Sequence, residues 1–207
     1  MARLINNGSE QVSGKIMDVV YVRYKGGTYI RRAPRVRKEA RTPAMLQNQQ
    51  RFACIQRFCT QFKDTLIPMI WNDRATKGSG YNLFMKANSP AFARDGSLSD
   101  PLLLKFSLGE LSLPEALTAQ LSAPDAGTIK VSWQKESHMG GLRLNDELMA
   151  ISYDGENFSG MIPTGLKRKD LQGSFELPVM ASGVQYLYLF FSSEDRRSFS
   201  ESVAFKI

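Results

Sequence analysis

The sequence predicts an α+β fold: an N-terminal β-hairpin with two or three helices, followed by an immunoglobulin-like or fibronectin-like antiparallel β-sandwich. Three observations carry this reading. Side chains alternate over residues 15–33 around a Gly26-Gly27 break, apolar residues recur at spacings of three and four after Thr42-Pro43, and beyond residue 100 the period returns to two. The layout implies two modules, a basic hairpin-plus-helix module over residues 1–98 and a β-sandwich over residues 99–207.

In the first stretch Met17, Val19 and Tyr21 fall on one face and Val20, Val22 and Tyr24 on the other, and Thr28, Tyr29 and Ile30 resume the pattern after the glycines. Both faces are partly apolar. An isolated two-stranded ribbon is marginal in water, so the hairpin is expected to lean on the rest of the chain or on another copy of it. It ends at Pro34, which pushes Ala33 toward extended geometry.

Thr42-Pro43 is a helix start: a hydroxyl precedes the first turn, and proline occupies the position where no donor is lost. Met45, Phe52, Ile55, Cys59, Phe62 and Leu66 then lay one apolar stripe, with Gln50, Arg57 and Gln61 opposite. Pro68 ends or bends this helix. Lys77-Gly78-Ser79-Gly80 reads as a linker, and Tyr81 to Asn88 as a short second helix that Ser89-Pro90 stops.

The small and polar residues 91–99 mark the module boundary. Beyond them the candidate strands are Leu102 to Ser107, Ala116 to Leu121, Thr128 to Gln134, Glu147 to Tyr153, Ser159 to Pro163, Gly173 to Leu177, Gln185 to Ser192 and Ser198 to Phe205. Pro124-Asp125-Ala126-Gly127, Asp154-Gly155 and Ser193-Glu194-Asp195 punctuate them. Short strands so spaced are the signature of an antiparallel sandwich, with Trp133 as its inter-sheet anchor.

Charge is the feature with functional content. Arg23, Lys25, Arg31, Arg32, Arg35, Arg37, Lys38 and Arg41 crowd into nineteen residues opposed only by Glu39. Residues 1–86 carry 16 basic and 5 acidic side chains, whereas residues 87–207 carry 11 and 15. Such a split suits the front of the chain to a polyanion or an acidic protein face. Arginine outnumbers lysine six to two in the run, which favours bidentate anion recognition. Tyr21, Tyr24 and Tyr29 lie in the same hairpin and are candidates for stacking on bases; the bland alternative is that the tyrosines supply packing and the charge run is a passive solvated face.

The recognised catalytic and metal patterns do not occur. His138 is the single histidine, in a loop sequence, and its bland reading is a solvated side chain. Cys54 and Cys59 are the only cysteines; five residues apart on a helix they point about 140° apart, which excludes a mutual disulfide and supplies no zinc set. The carboxylates Asp146-Glu147, Asp154-Gly155-Glu156 and Glu194-Asp195 read as turn and solubility residues, and no calcium loop, phosphate loop or serine-hydrolase elbow is present. The expectation is no cofactor, no metal and no small-molecule substrate. Asn6, Asn7, Gly8 and Ser9 interrupt what a secretory leader needs as a continuous apolar stretch, and Tyr186 to Phe191 is far short of a membrane helix. A cytoplasmic location without a membrane partner is therefore expected.

Gly14-Lys15-Ile16, Tyr24-Lys25-Gly26-Gly27-Thr28-Tyr29-Ile30-Arg31, Arg41-Thr42-Pro43, Gln47, Gln50-Arg51-Phe52 and Tyr81-Asn82-x-Phe84 before Asn88 form an ordered set. With Thr128 to Trp133, Ser192-Ser193-Glu194-Asp195 and Ser202-Val203, the set resembles an uncharacterised family of bacterial proteins, known mainly from gut commensals and classed as a domain of unknown function. The chain departs from it at Glu39-Ala40, where the family form is Asn-Pro. The resemblance implies the two-part layout and brings no catalytic residue. The expected function is that of a non-enzymatic binding or assembly protein whose basic segment meets an acidic protein surface or another copy of the chain. The alternative is a nucleic-acid binder contacting phosphates through Arg31, Arg32, Arg35 and Arg37.

Overall fold

A computed structural model of the 207-residue chain describes residues 13–24, 27–35, 41–76, 78–122, 127–135, 141–178 and 183–207. The chain is α+β, and it divides into two compact units, residues 1–42 and 43–207. The boundary read from the sequence at 98/99 falls inside the second unit.

The first unit holds three antiparallel strands: β1 (Gly14–Ile16), β2 (Val19–Tyr24) and β3 (Gly27–Arg32), in the order β1-β2-β3. The expected hairpin is β2-β3, and the structure adds β1 to it. Met17 at φ 50° and Asp18 turn the chain between β1 and β2, and Ala33 N–H donates to the Asp18 carbonyl at 2.7 Å to close the base of the sheet. Ala33 is the one buried apolar residue among those described in this unit.

The second unit begins with α1 (Pro43–Thr60), starting at the proline as expected. Its predicted stripe is buried only from the middle onward: Ile55, Cys59, Phe62 and Leu66 are inside, joined by Phe58, which the stripe did not include, whereas Phe52 is 54% exposed. Backbone bonds shorten to i→i+3 after Thr60, and Pro68 lies in a π-helical turn (Ile67–Trp71) whose N-terminal side has no need of its missing donor. The Gly78-Ser79-Gly80 segment is a helix start, not a linker. Ser79 Oγ accepts the Asn82 N–H at 3.3 Å and caps α2 (Gly80–Asn88), while the Gly80 Cα lies so close to the Trp71 and Asn72 backbone that a Cβ would collide.

Seven strands follow: β4 (Thr118–Leu121), β5 (Thr128–Ser132), β6 (Glu147–Tyr153), β7 (Ile162–Lys167), β8 (Gln172–Glu176), β9 (Tyr186–Ser192) and β10 (Val203–Lys206). They form a three-stranded sheet β4-β5-β8 and a four-stranded sheet β10-β9-β6-β7, all pairs antiparallel. Three expected strands differ. Ser159–Pro163 is displaced to β7, Ser198–Phe205 contracts to β10 preceded by isolated bridges at Phe199 and Ser200, and Leu102–Ser107 is a 3₁₀ turn (Pro101–Leu103) leading into an extended segment. That last segment finds side-chain partners for its backbone. The buried Asn88 donates to the carbonyls of Phe84 and Lys105 at 3.0 Å and accepts the Lys105 N–H at 2.7 Å, and Ser202 Oγ accepts the Phe106 N–H at 3.0 Å.

The four-stranded sheet is buried on both faces, which explains why β6 and β9 read as near-continuous apolar runs. Leu148, Ala150, Leu187, Leu189 and Phe191 face the smaller sheet and pack with Ile129, Val131, Trp133, Phe175 and Leu177. Met149, Ile151, Tyr188 and Phe190 face the helices and join Ile55, Phe58, Phe62, Trp71, Phe84 and Phe106. Trp133 is the inter-sheet anchor: its ring stands edge-on to Phe191 at 5.5 Å, and its Nε1–H donates to the Arg168 carbonyl at 2.9 Å. Each such large side chain removed from water contributes about 1.5–3 kcal/mol.

Candidate functional site

The three-stranded sheet of the first unit is the candidate contact element, because it holds Arg23, Arg31 and Arg32 of the predicted cations and buries little. Register assigns its side chains to faces, since directly opposed residues point the same way and neighbours along a strand point oppositely. The pairs Val19↔Arg32, Tyr21↔Ile30 and Arg23↔Thr28 share one face with Ile16. On the other lie Val20↔Arg31 and Val22↔Tyr29, with Lys15 opposite Val20. Arg31 and Arg32, adjacent in sequence, are thus divided between the two faces. Tyr21 and Tyr29 are likewise separated, so no single aromatic platform is formed by them.

Arg23, Arg31, Arg32, Arg35 and Arg41 are all exposed. Among the described residues, no carboxylate pairs with Arg23, Arg31, Arg32 or Arg35. Apolar groups share this exposure: Met17 is 90%, Ile30 62% and Tyr29 51% accessible. Lys25, Arg37 and Lys38 lie outside the described residues, as does the side chain of Tyr24.

Charge follows the structural boundary more closely than the sequence boundary. Residues 1–42 carry 10 basic and 3 acidic side chains, and residues 43–207 carry 17 of each. The whole formal +7 belongs to the small unit.

Elsewhere the chemistry is structural. Asp146 is not a turn and solubility residue as expected but half of a buried ion pair: Arg168 Nε lies 3.5 Å from its Oδ2, and each residue is 3% exposed. The guanidinium stacks over the Phe191 ring at 4.3 Å and donates through Nη2 to the Ser112 carbonyl at 2.8 Å. The pair was missed because its partners are twenty-two residues apart and only the corner after β7 brings them together. Asp154 is buried as well. Its Oδ1 accepts the N–H groups of Asn157 and Glu156 at 2.6 and 2.8 Å, which hold its carboxyl below the usual range. Glu194 and Asp195 occupy an exposed turn, where Ser193 Oγ donates to Asp195 at 2.6 Å. Both cysteines are free thiols, and burial pushes that of Cys59 up to about 12. His138 lies outside the described residues.

Two open depressions mark the second unit. One of about 530 Å³ lies over the outer face of the small sheet, lined by Thr118, Gln120, Lys130, Ser132, Gln172 and Ser174. The other, about 370 Å³, lies between α1 and α2 beside Arg51, Phe52, Ile55, Asn82 and Met85. Arg51 is occupied there, donating to the carbonyls of Ser89 at 2.7 Å and Phe92 at 3.3 Å. Among the described residues, no three His, Cys, Asp or Glu side chains are grouped so as to hold a metal ion, and no helix is long and apolar enough to cross a membrane.

Fold and site together define an α+β protein of two units, one holding an exposed basic sheet and the other β-rich and electrically balanced. The chain belongs to a family of unknown function, DUF6266, whose model matches residues 11–205. No curated protein and no solved structure matches it significantly.

Proposed function

We propose that the chain is a non-enzymatic binding or assembly protein in which the N-terminal sheet makes the contact and the β-rich body serves as its platform. The observation that carries this is the confinement of the entire net charge to residues 1–42, on a sheet whose arginines are exposed. An exposed sheet with one buried apolar residue among those described gains too little from its own packing to be a stability device.

Supporting the platform role, the body follows an immunoglobulin-like or fibronectin-like plan. Two antiparallel sheets of three and four strands enclose a common core, and successive strands cross between them from β5 to β6, β7 to β8 and β8 to β9. The helices cover the outer face of the larger sheet.

The test compares wild type with a variant in which Arg23, Arg31, Arg32 and Arg35 are changed to Ala, by light scattering and by pull-down of interacting macromolecules. Wild type should self-associate or recover partners that the variant loses. A strict monomer with identical recoveries from both proteins would sink the reading.

A further inference from the structure

We propose that the basic sheet is a two-faced blade that enters the major groove of duplex DNA. This rests on the N-terminal unit being the contact element, and it names the partner. Three independent observations carry it.

The first is the division of charge between faces. Arg23 and Arg32 lie with Tyr21 and Ile30 on one side, and Lys15 and Arg31 with Tyr29 on the other. A flat protein or lipid surface meets one face of a ribbon. A ribbon held between two phosphate walls is met on both, and it needs cations on both.

The second is size. β1 spans only three residues and pairs with β2 as far as Tyr21, so beyond Tyr21 the sheet narrows to the two strands Val22–Tyr24 and Gly27–Tyr29. The two strands of this tip are about 4.8 Å apart and the three residues of each extend about 10 Å, carrying Arg23, while Lys15, Arg31 and Arg32 stand on the three-stranded base behind it. The B-form major groove is about 12 Å wide and admits a two-stranded ribbon. A-form RNA has a major groove too deep and narrow for side chains to read. The ribbon therefore selects DNA. Arginine at its surface suits both phosphate and the paired acceptors of guanine.

The third is the poor fit of a second copy. Residues 43–207 balance 17 basic against 17 acidic side chains, so another molecule offers no net counter-charge. Among the described strands β3 pairs only with β2. Edge-to-edge pairing of two β3 strands would place Arg31 and Arg32 of both copies on one small sheet, and like charges set opposite one another disfavour the pairing.

The experiment measures binding of the full chain to a labelled 20-base-pair DNA duplex, the corresponding RNA duplex and heparin by fluorescence anisotropy between 50 and 400 mM salt. DNA should bind tightest, with log affinity falling linearly in log salt at about −0.9 per phosphate neutralised. Arg23→Ala with Arg32→Ala, and separately Lys15→Ala with Arg31→Ala, should each weaken DNA binding about tenfold or more and reduce the slope by one to two. Lys63→Ala with Lys206→Ala, on the body, should leave it within about twofold. The Arg→Lys forms of the same sheet positions, which preserve charge and fold, should keep the slope. Three results overturn the proposal: no DNA binding at 50 mM salt, equal affinity and slope for all three polyanions, or sensitivity to one face alone. In each of them a charge-dependent partner in the pull-down would still stand, so loss of the DNA partner is distinguishable from loss of the contact element.

Discussion

Buried charge is costly unless it is paired, and Asp146 with Arg168 is such a pair, its Oδ2 and Nε held 3.5 Å apart by charge attraction and not by a hydrogen bond. The guanidinium is shared among the Asp146 carboxylate, the Ser112 carbonyl and the Phe191 ring, while its own backbone carbonyl receives the Trp133 indole. Removing one partner leaves the other charged in a dry site. Asp146→Ala or Arg168→Ala should therefore destabilise the fold by about 3–5 kcal/mol, read from urea denaturation, whereas replacing both by apolar residues should cost less than the sum. The thiols supply a second residue-scale expectation. Cys59 is fully buried with its pKa pushed up to about 12, and Cys54 is half-buried. A thiol reagent at neutral pH should modify one cysteine per chain in the native state and two in denaturant; two fast-reacting thiols in the native protein would contradict the packing. Asp154 gives the pH dependence. Its folded-state pKa lies below the unfolded value near 3.9, so its contribution is present above about pH 4 and lost as pH falls through that range. Asp154→Asn should narrow the difference in thermal midpoint between pH 7 and pH 3.

At the scale of elements, helix α1 separates pattern from burial. Its stripe is continuous in sequence, yet Phe58 meets Phe62, Phe84, Phe92, Phe106 and Phe158 within 6.2 Å while Phe52 is half in water. Phe58→Ala should cost about 3–5 kcal/mol and Phe52→Ala at most about 0.5 kcal/mol, measured by chemical denaturation. Asn88 is the corresponding polar fixture. It ends α2 and simultaneously bonds both backbone groups of Lys105, substituting for a strand neighbour in a segment that alternation alone would call a strand. Asn88→Ala should cost about 2–3 kcal/mol by leaving those groups unpaired. Gly109 keeps this segment against the body for a steric reason, since a Cβ there would strike the Phe199 carbonyl.

For the molecule as a whole, the second unit contains both apolar clusters and the seven strands β4 to β10, so it has what a folding unit needs. A fragment of residues 43–207 should unfold cooperatively with a midpoint within a few degrees of the full chain, and should lose retention on a cation exchanger because its formal charge is zero. A molten fragment would show that residues 1–42 are required for packing. Much of this organisation was legible beforehand. Glu147–Tyr153 is placed to the residue, Gln185–Ser192 within one, and Trp133 is the anchor expected. Helix α1 begins where proline places it, because proline acts within one turn, whereas the Ser79 cap of α2 falls in a segment that reads as a linker. The module boundary was not legible: residues 91–99 are small and polar, but Ala91 and Phe92 are buried in the cluster that joins helices to sheet. Nor was the division of the arginines between faces, which requires register as well as order.

The sequence by itself determined the element types, the charge asymmetry, the absence of the familiar catalytic and metal patterns, and the family resemblance, since these depend on local periodicity, composition and ordered motifs. Tertiary structure alone decided that the larger sheet is covered on both faces, that Asp146 and Asp154 are buried, and that Arg23 and Arg32 lie on one face of the small sheet and Lys15 and Arg31 on the other. Those outcomes arise from contacts between residues distant in the chain, which no local pattern encodes.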